Sequence, residues 1–226
     1  MDLSLVILGI VLVIILYYFL NRGGTTVLSD KLDLSIDQTE IPISNITDPG
    51  SRKYSYELWM YFYNFQSSNN QEYIISRDGT GAKNIGIYID KTSPKLMLEY
   101  SATPIGGTSG KKTVSITDNF PLQTWAHVIV SVDNNYIDVY MNGKLIKSVY
   151  DTTIDTPSKT STIKYGKTNC YLAKLSRTVL PTDPQTAWDK YSAGNGESAM
   201  AKYLSSFGLT MTLKKNDQDY SKITVF

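Results

Sequence analysis

The chain holds one histidine, His127, and one cysteine, Cys170. Neither a two-histidine metal site nor a thiolate-rich one can be assembled from that set within one chain, which excludes zinc. A Ser-His-Asp or Cys-His nucleophile would have to use His127, which sits mid-strand beside Trp125 with no orienting partner in view. Asp138, flanked by Tyr136 and Tyr140, reads as a solvated strand residue. The run Gly106-Gly107-Thr108-Ser109-Gly110-Lys111-Lys112-Thr113 has the outline of a phosphate-binding loop. Its glycines are too closely spaced, however, and Lys112 stands where a Ser or Thr is needed. It reads as a flexible loop with a basic tip, and Asp78-Gly79-Thr80-Gly81 reads as a turn. No catalytic, metal-binding or cofactor-binding residue is assigned, and no enzymatic activity is expected.

These groups must be held by the surrounding elements, and the patterning is that of strands. Alternation or apolar runs recur over Leu32–Ile36, Tyr54–Phe65, Glu72–Ser76, Ile85–Ile89 and Leu96–Tyr100. From Trp125 to Val149 the pattern is clearest. Ala126, Val128, Val130 and Val132 share one face, Ile137, Val139 and Met141 another, with turns at Asp133-Asn134-Asn135 and at Asn142-Gly143. Seventeen tyrosines suit such strands. Helical signals are confined to the C-terminal third. Asp183-Pro184 starts a short helix that Gly194 stops, a second is expected from about Glu197 to Phe207, and strands follow at Leu209–Leu213 and Lys222–Phe226. Lys+Arg 22 against Asp+Glu 21 gives a net charge of +1, which offers no basic field for nucleic acid.

The N-terminus has a different character. From Leu3 to Leu20 the chain is an uncharged run broken only by Ser4 and Gly9, with Leu3, Val6, Ile7, Leu8, Ile10, Val11, Leu12, Val13, Ile14, Ile15, Leu16, Tyr17, Tyr18, Phe19 and Leu20 as its candidate anchor residues. As a helix of about 18 residues it would reach roughly 27 Å, enough to cross a thin bilayer. The rings of Tyr17, Tyr18 and Phe19 would lie at the headgroups, before Asn21 and Arg22. Asp2 is out of place in the basic n-region of a cleavable signal. The predicted organisation is a transmembrane helix at 3–20, a linker at 21–31 and one domain at 32–226. Arg22 and Lys31 place that domain on the cytosolic side, and a single cysteine suits a reducing compartment. The sequon Asn45-Ile46-Thr47 would accept a glycan only on a lumenal domain.

The stretch FPLQTWAHVIVSVDNNYIDVYMNGKLI resembles the signature of concanavalin A-like, laminin-G-type jelly-roll domains. YSYELWMYFYNF is similar to the opening strand of that family, and YLAKLSRTVLPTDPQTAWDKYSAG to its late strand and short helix. The resemblance implies an all-β fold of two packed antiparallel sheets, a jelly-roll sandwich with short C-terminal helices. Glucanases of the superfamily use a Glu-x-Asp-x-x-Glu strand, which this chain lacks. Related lectin and laminin-G domains bind calcium through loop oxygens, and Asp78, Asp90, Asp133 and Asn134 are the candidates for such a site. A carbohydrate site would need an exposed aromatic platform. Trp59, Trp125 and Trp188 are the candidates, and their apolar-patterned elements place them in the core. The anchor-plus-sandwich plan is similar to minor capsid and inner-membrane virion proteins of large double-stranded DNA viruses. It implies a non-enzymatic structural protein at the interface between virion inner membrane and capsid, with the lipid bilayer and other capsid or membrane proteins as partners. A membrane-bound, lectin-like carbohydrate-binding adhesin is the alternative.

Overall fold

The structure, a computed structural model, describes residues 9–13, 24–66, 71–195, 210–215 and 218–224, the last two stretches as backbone. Alternating side chains build two sheets. The larger has six antiparallel strands in the order β1-β11-β2-β7-β8-β9. These are β1 (Thr25–Asp33), β2 (Lys53–Phe62), β7 (Trp125–Asp133), β8 (Tyr136–Met141), β9 (Lys144–Tyr150) and β11 (Cys170–Thr178). The smaller has five, ordered β10-β3-β4-β5-β6. They are β3 (Glu72–Asp78), β4 (Lys83–Ile89), β5 (Leu96–Ala102), β6 (Gly110–Thr117) and β10 (Ile163–Tyr165). The sheets stack face to face around one apolar core. Tyr56, Leu58, Met60, Val128, Val130 and Leu172 from the larger sheet meet Ile75, Ile87, Leu96 and Leu98 from the smaller. The two faces read from Trp125–Val149 are as the sequence has them. Asn142 and Gly143 take positive φ angles of 50° and 75°, the backbone a type I′ hairpin requires.

Helix α1 (Pro184–Ser192) lies on the outer face of the six-stranded sheet. Asp183 caps it, its carboxylate accepting from the N–H groups of Gln185 and Thr186, and Gly194 follows its C-terminus with φ 75°. Ala187 packs against Ile129 and Tyr140 of the sheet below.

Two expectations change. Strand β1 begins at Thr25 and pairs along its length with β11, so residues 25–31 are sheet rather than free linker. Its polar sequence hides it because it is an edge strand with one side in water. Lys111 and Lys112 lie in β6, not at a loop tip, and reach Glu99 and Asp151. The two strands expected at the C-terminal end are present, with Thr210–Lys215 (β12) and Gln218–Thr224 (β13) paired antiparallel in a two-stranded sheet.

Of the apolar run, Ile10, Val11, Leu12 and Val13 are helical and 44–67% exposed. Leu3, Val6, Ile7, Leu8, Ile14, Ile15, Leu16, Tyr17, Tyr18, Phe19 and Leu20 lie outside the described residues, as does the helix expected at 197–207. Among the described residues no helix is long and apolar enough to cross a membrane.

Candidate functional site

The outward side chains of β2 and β7 alternate with the core set, and the first constellation they make is buried. Glu57 faces His127 across the β2–β7 pair, with His127 Nε2 3.2 Å from Glu57 Oε1. Lys190 descends from α1 to place Nζ 2.9 Å from Glu57 Oε2, and Ser176 Oγ donates to the same oxygen at 3.4 Å. The His127 ring lies tilted 4.8 Å from Trp59 and stacked 6.1 Å from Tyr191, and His127 is fully buried. Burial alone would raise the Glu57 carboxyl. The His127 hydrogen bond and the Lys190 ammonium outweigh it and bring the pKa down to about 2. Glu57 is therefore an anion at neutral pH, unsuited to donating a proton, and the helix closes it from substrate. Its chemistry is attachment: the carboxylate ties α1 to the sheet. Glu57 is not among the sequence candidates, although a lone carboxylate in the largely apolar strand YSYELWMYF is a signal of a buried partner.

Beyond the end of α1 no other described element covers the same outer face. Register carries Tyr61 (β2) opposite both Trp125 (β7) and Tyr171 (β11). The rings form a continuous ladder, with Tyr61 5.6 Å from Trp125 and 6.2 Å from Tyr171, and Tyr171 5.0 Å from Tyr63. Tyr171 is 37% exposed, and Tyr61, Tyr63 and Trp125 are half-buried. The ladder runs into polar ground, for the Tyr63 hydroxyl donates to Asn169 Oδ1 at 3.4 Å. Asn169 lines a cavity of about 300 Å³ at this end of the sandwich. Ser35, Asn64, Glu72, Asp90 and Lys167 share the cavity wall with Asn169, and Phe62 provides an apolar patch. An aromatic surface bordered by amides, hydroxyls and carboxylates suits a ligand with one apolar face and many hydroxyls.

The three tryptophans are thus separated. Trp59 is buried under α1, Trp125 belongs to the ladder, and Trp188 is 47% exposed on the helix, where it covers the backbone of Gly143. The core assignment holds for Trp59 alone, because β7 leaves the cover of α1 before Trp125 and Trp188 caps a hairpin rather than filling the interior.

The loop oxygens proposed for calcium are dispersed. Asp78 pairs with Lys83 at 2.5 Å and Lys164 at 3.0 Å, and the Lys83 hydrogen bond holds its carboxyl below the usual range. Asp90 accepts the Thr92 hydroxyl and N–H within its own turn, and Asp133 pairs with Lys53 at 3.1 Å beside Asn134. Among the described residues no three acidic, histidine or cysteine side chains converge on one point. On the five-stranded sheet Glu99 is buried, with the Tyr73 hydroxyl at 2.5 Å and Lys111 Nζ at 2.7 Å. Asp138 accepts the Ser148 hydroxyl at 2.5 Å, and burial pushes the Cys170 thiol pKa up.

Two antiparallel sheets stacked around one core, with a short helix on the outer face, define an all-β jelly-roll sandwich. A model of the concanavalin A-like lectin/glucanases superfamily, Laminin_G_3, matches residues 36–175, and the chain belongs to that family. The receptor-binding domain of botulinum neurotoxin mosaic serotype C/D is similar in fold, with a TM-score of 0.56 at 16% identity over 76% of this chain and 45% of that one. The botulinum neurotoxin serotype D ligand-binding domain, solved in complex with N-acetylneuraminic acid, gives 0.56 at 12% identity, covering 76% and 46%. A Trypanosoma rangeli sialidase gives 0.50 at 12% over 65% of this chain and 24% of that one. The chain spans less than half the length of these proteins, and at such identities the likeness is one of fold. Curated protein sequences give no match.

Proposed function

We propose that this chain is a non-enzymatic carbohydrate-binding module tethered to a membrane through residues 3–20. The observation that carries the reading is the Tyr61–Tyr63–Trp125–Tyr171 ladder running into the amide- and carboxylate-lined cavity. A pyranose presents C–H groups to an aromatic ring and hydroxyls to Asn64, Asn169 and Glu72. No reaction is assigned, because Glu57 is a sequestered anion and Asp78 is locked to two lysines. The N-acetylneuraminic acid complex of the similar serotype D domain supports the choice of ligand class. The test is a glycan array probed with the full-length chain in detergent, with and without a calcium chelator. Retention of a glycan class that Tyr171→Ala releases is the expected result. An array with no retained glycan sinks the proposal.

A second reading, in which the sandwich joins an inner virion membrane to a capsid shell, draws on strand β9. It is the outermost strand of its sheet, with Leu145, Ile146 and Tyr150 exposed and its outer backbone edge open to another chain. Protease and detergent fractionation of purified particles separates the two, since only this reading requires the chain to remain with the shell after lipid is removed.

A further inference from the structure

The two ends of the sandwich differ, and chain geometry decides which faces the bilayer. Antiparallel register puts Thr25, Thr178, Ser55 and the β7–β8 turn at Asn134 at one end. It puts Asp33, Tyr171, Tyr61 and Trp125 at the other. The apolar run stops at Leu20 and β1 starts at Thr25, leaving residues 21–24 between them. Five Cα steps reach at most about 18 Å. The nine residues of β1 then lead away over roughly 27 Å.

We infer that the sandwich is seated on the lipid surface by its Thr25 end, with the aromatic ladder and the cavity at the membrane-distal end. The reading of residues 3–20 as a membrane span underlies this. Two further features fit the seat. Val27 is 62% exposed and Leu180 48% exposed, and both lie at the Thr25 end, where apolar side chains can rest among headgroups. The middle of the same edge strand carries exposed Asp30 and Lys31, whose charges keep that edge in water and disfavour a sandwich lying on its side.

The ligand of this surface is a bilayer, and the probe is a phosphatidylcholine vesicle carrying a headgroup nitroxide. The full-length chain is reconstituted with a single fluorophore at Asn134→Cys, Leu180→Cys, Ile36→Cys or Leu122→Cys, the native Cys170 being buried and silent to the label. Quenching at positions 134 and 180 is expected to be several-fold stronger than at 36 and 122, which lie at the ladder end. Equal or reversed quenching in chains that float with vesicles overturns the seating alone. Failure of the chain to float with vesicles overturns the membrane span and the seating together. Each labelled variant is checked against the wild-type circular dichroism spectrum, so that a misfolded one is replaced by its neighbour in the same turn.

Discussion

Replacing Glu57 by Gln removes the charge on which His127 and Lys190 converge. The wild-type carboxyl titrates at about 2 against an ordinary 4.5, a gap that corresponds to about 3 kcal/mol of folding free energy. Because the folded pKa is depressed, that contribution is fully present above pH 4.5 and disappears as pH falls toward 2. The Glu57 side chain is 11% exposed, so solvent screening takes little from the figure. Near neutral pH the variant should lose about 1–3 kcal/mol, less than a fully buried broken pair costs, because Lys190 retains 21% exposure and can turn to water. For a domain of this size that is roughly 3–10 °C in melting temperature. Urea unfolding of the full-length chain, followed by tryptophan fluorescence at a series of pH values from 7 to about 2, reads both quantities. Trp59 is a local reporter because its ring centre lies 4.8 Å from that of His127. The acid limb of the stability profile should flatten in the Gln variant. If wild type and variant fall with the same slope between pH 5 and 2, Glu57 is not the group that ties α1 to the sheet.

The remaining predictions test the surface, the hairpin beneath α1 and the N-terminal cap of that helix. Trp125→Ala or Tyr171→Ala should weaken glycan binding about tenfold, the loss of one aromatic contact of ~1.4 kcal/mol, while the melting temperature of the half-exposed Tyr171 variant stays within a few degrees. Isothermal titration with the best array ligand measures it, and unchanged affinity in both variants removes the ladder from the site. Gly143→Ala should cost about 2 kcal/mol in urea unfolding, since φ is +75° and a new Cβ would lie 2.9 Å from Trp188 Cε3 and 3.2 Å from its Cα. Asp183→Ala should cost about 1 kcal/mol by leaving the N–H groups of Gln185 and Thr186 unpaired, a loss that Asp183→Ser should largely restore.

What could be read from the sequence follows from how local each feature is. The β7–β8–β9 meander is made of neighbours in the chain, so alternation and Asn142-Gly143 sufficed to place its faces and its second turn. Helix α1 was equally plain because Asp183-Pro184 and Gly194 mark it at both ends. The family resemblance rested on those same stretches, and the family match covers them. The ladder was out of reach for the opposite reason. It needs β11 inserted between β1 and β2, and the sequence spacing of Tyr61, Trp125 and Tyr171 says nothing about that insertion. Tyr61 and Tyr171 were never singled out, and Trp125 was assigned to the core because period-two patterning cannot tell a face covered by a helix from one left bare. Glu57 and Lys190 met through tertiary packing alone.

The insertion of β11 also sets a timetable. Thr25 and Thr178, side by side in the sheet with their hydroxyls 3.1 Å apart, are separated by 153 residues of chain. At about 5–20 residues per second a ribosome needs roughly 8–30 s between them. Strand β1 emerges first and cannot complete its sheet until nearly the whole sandwich has been made, so an open strand edge waits for its partner beside a nascent apolar segment. Its threonines, serine and adjacent, oppositely charged Asp30 and Lys31 are the composition that lets such an edge wait without pairing to a neighbouring nascent chain.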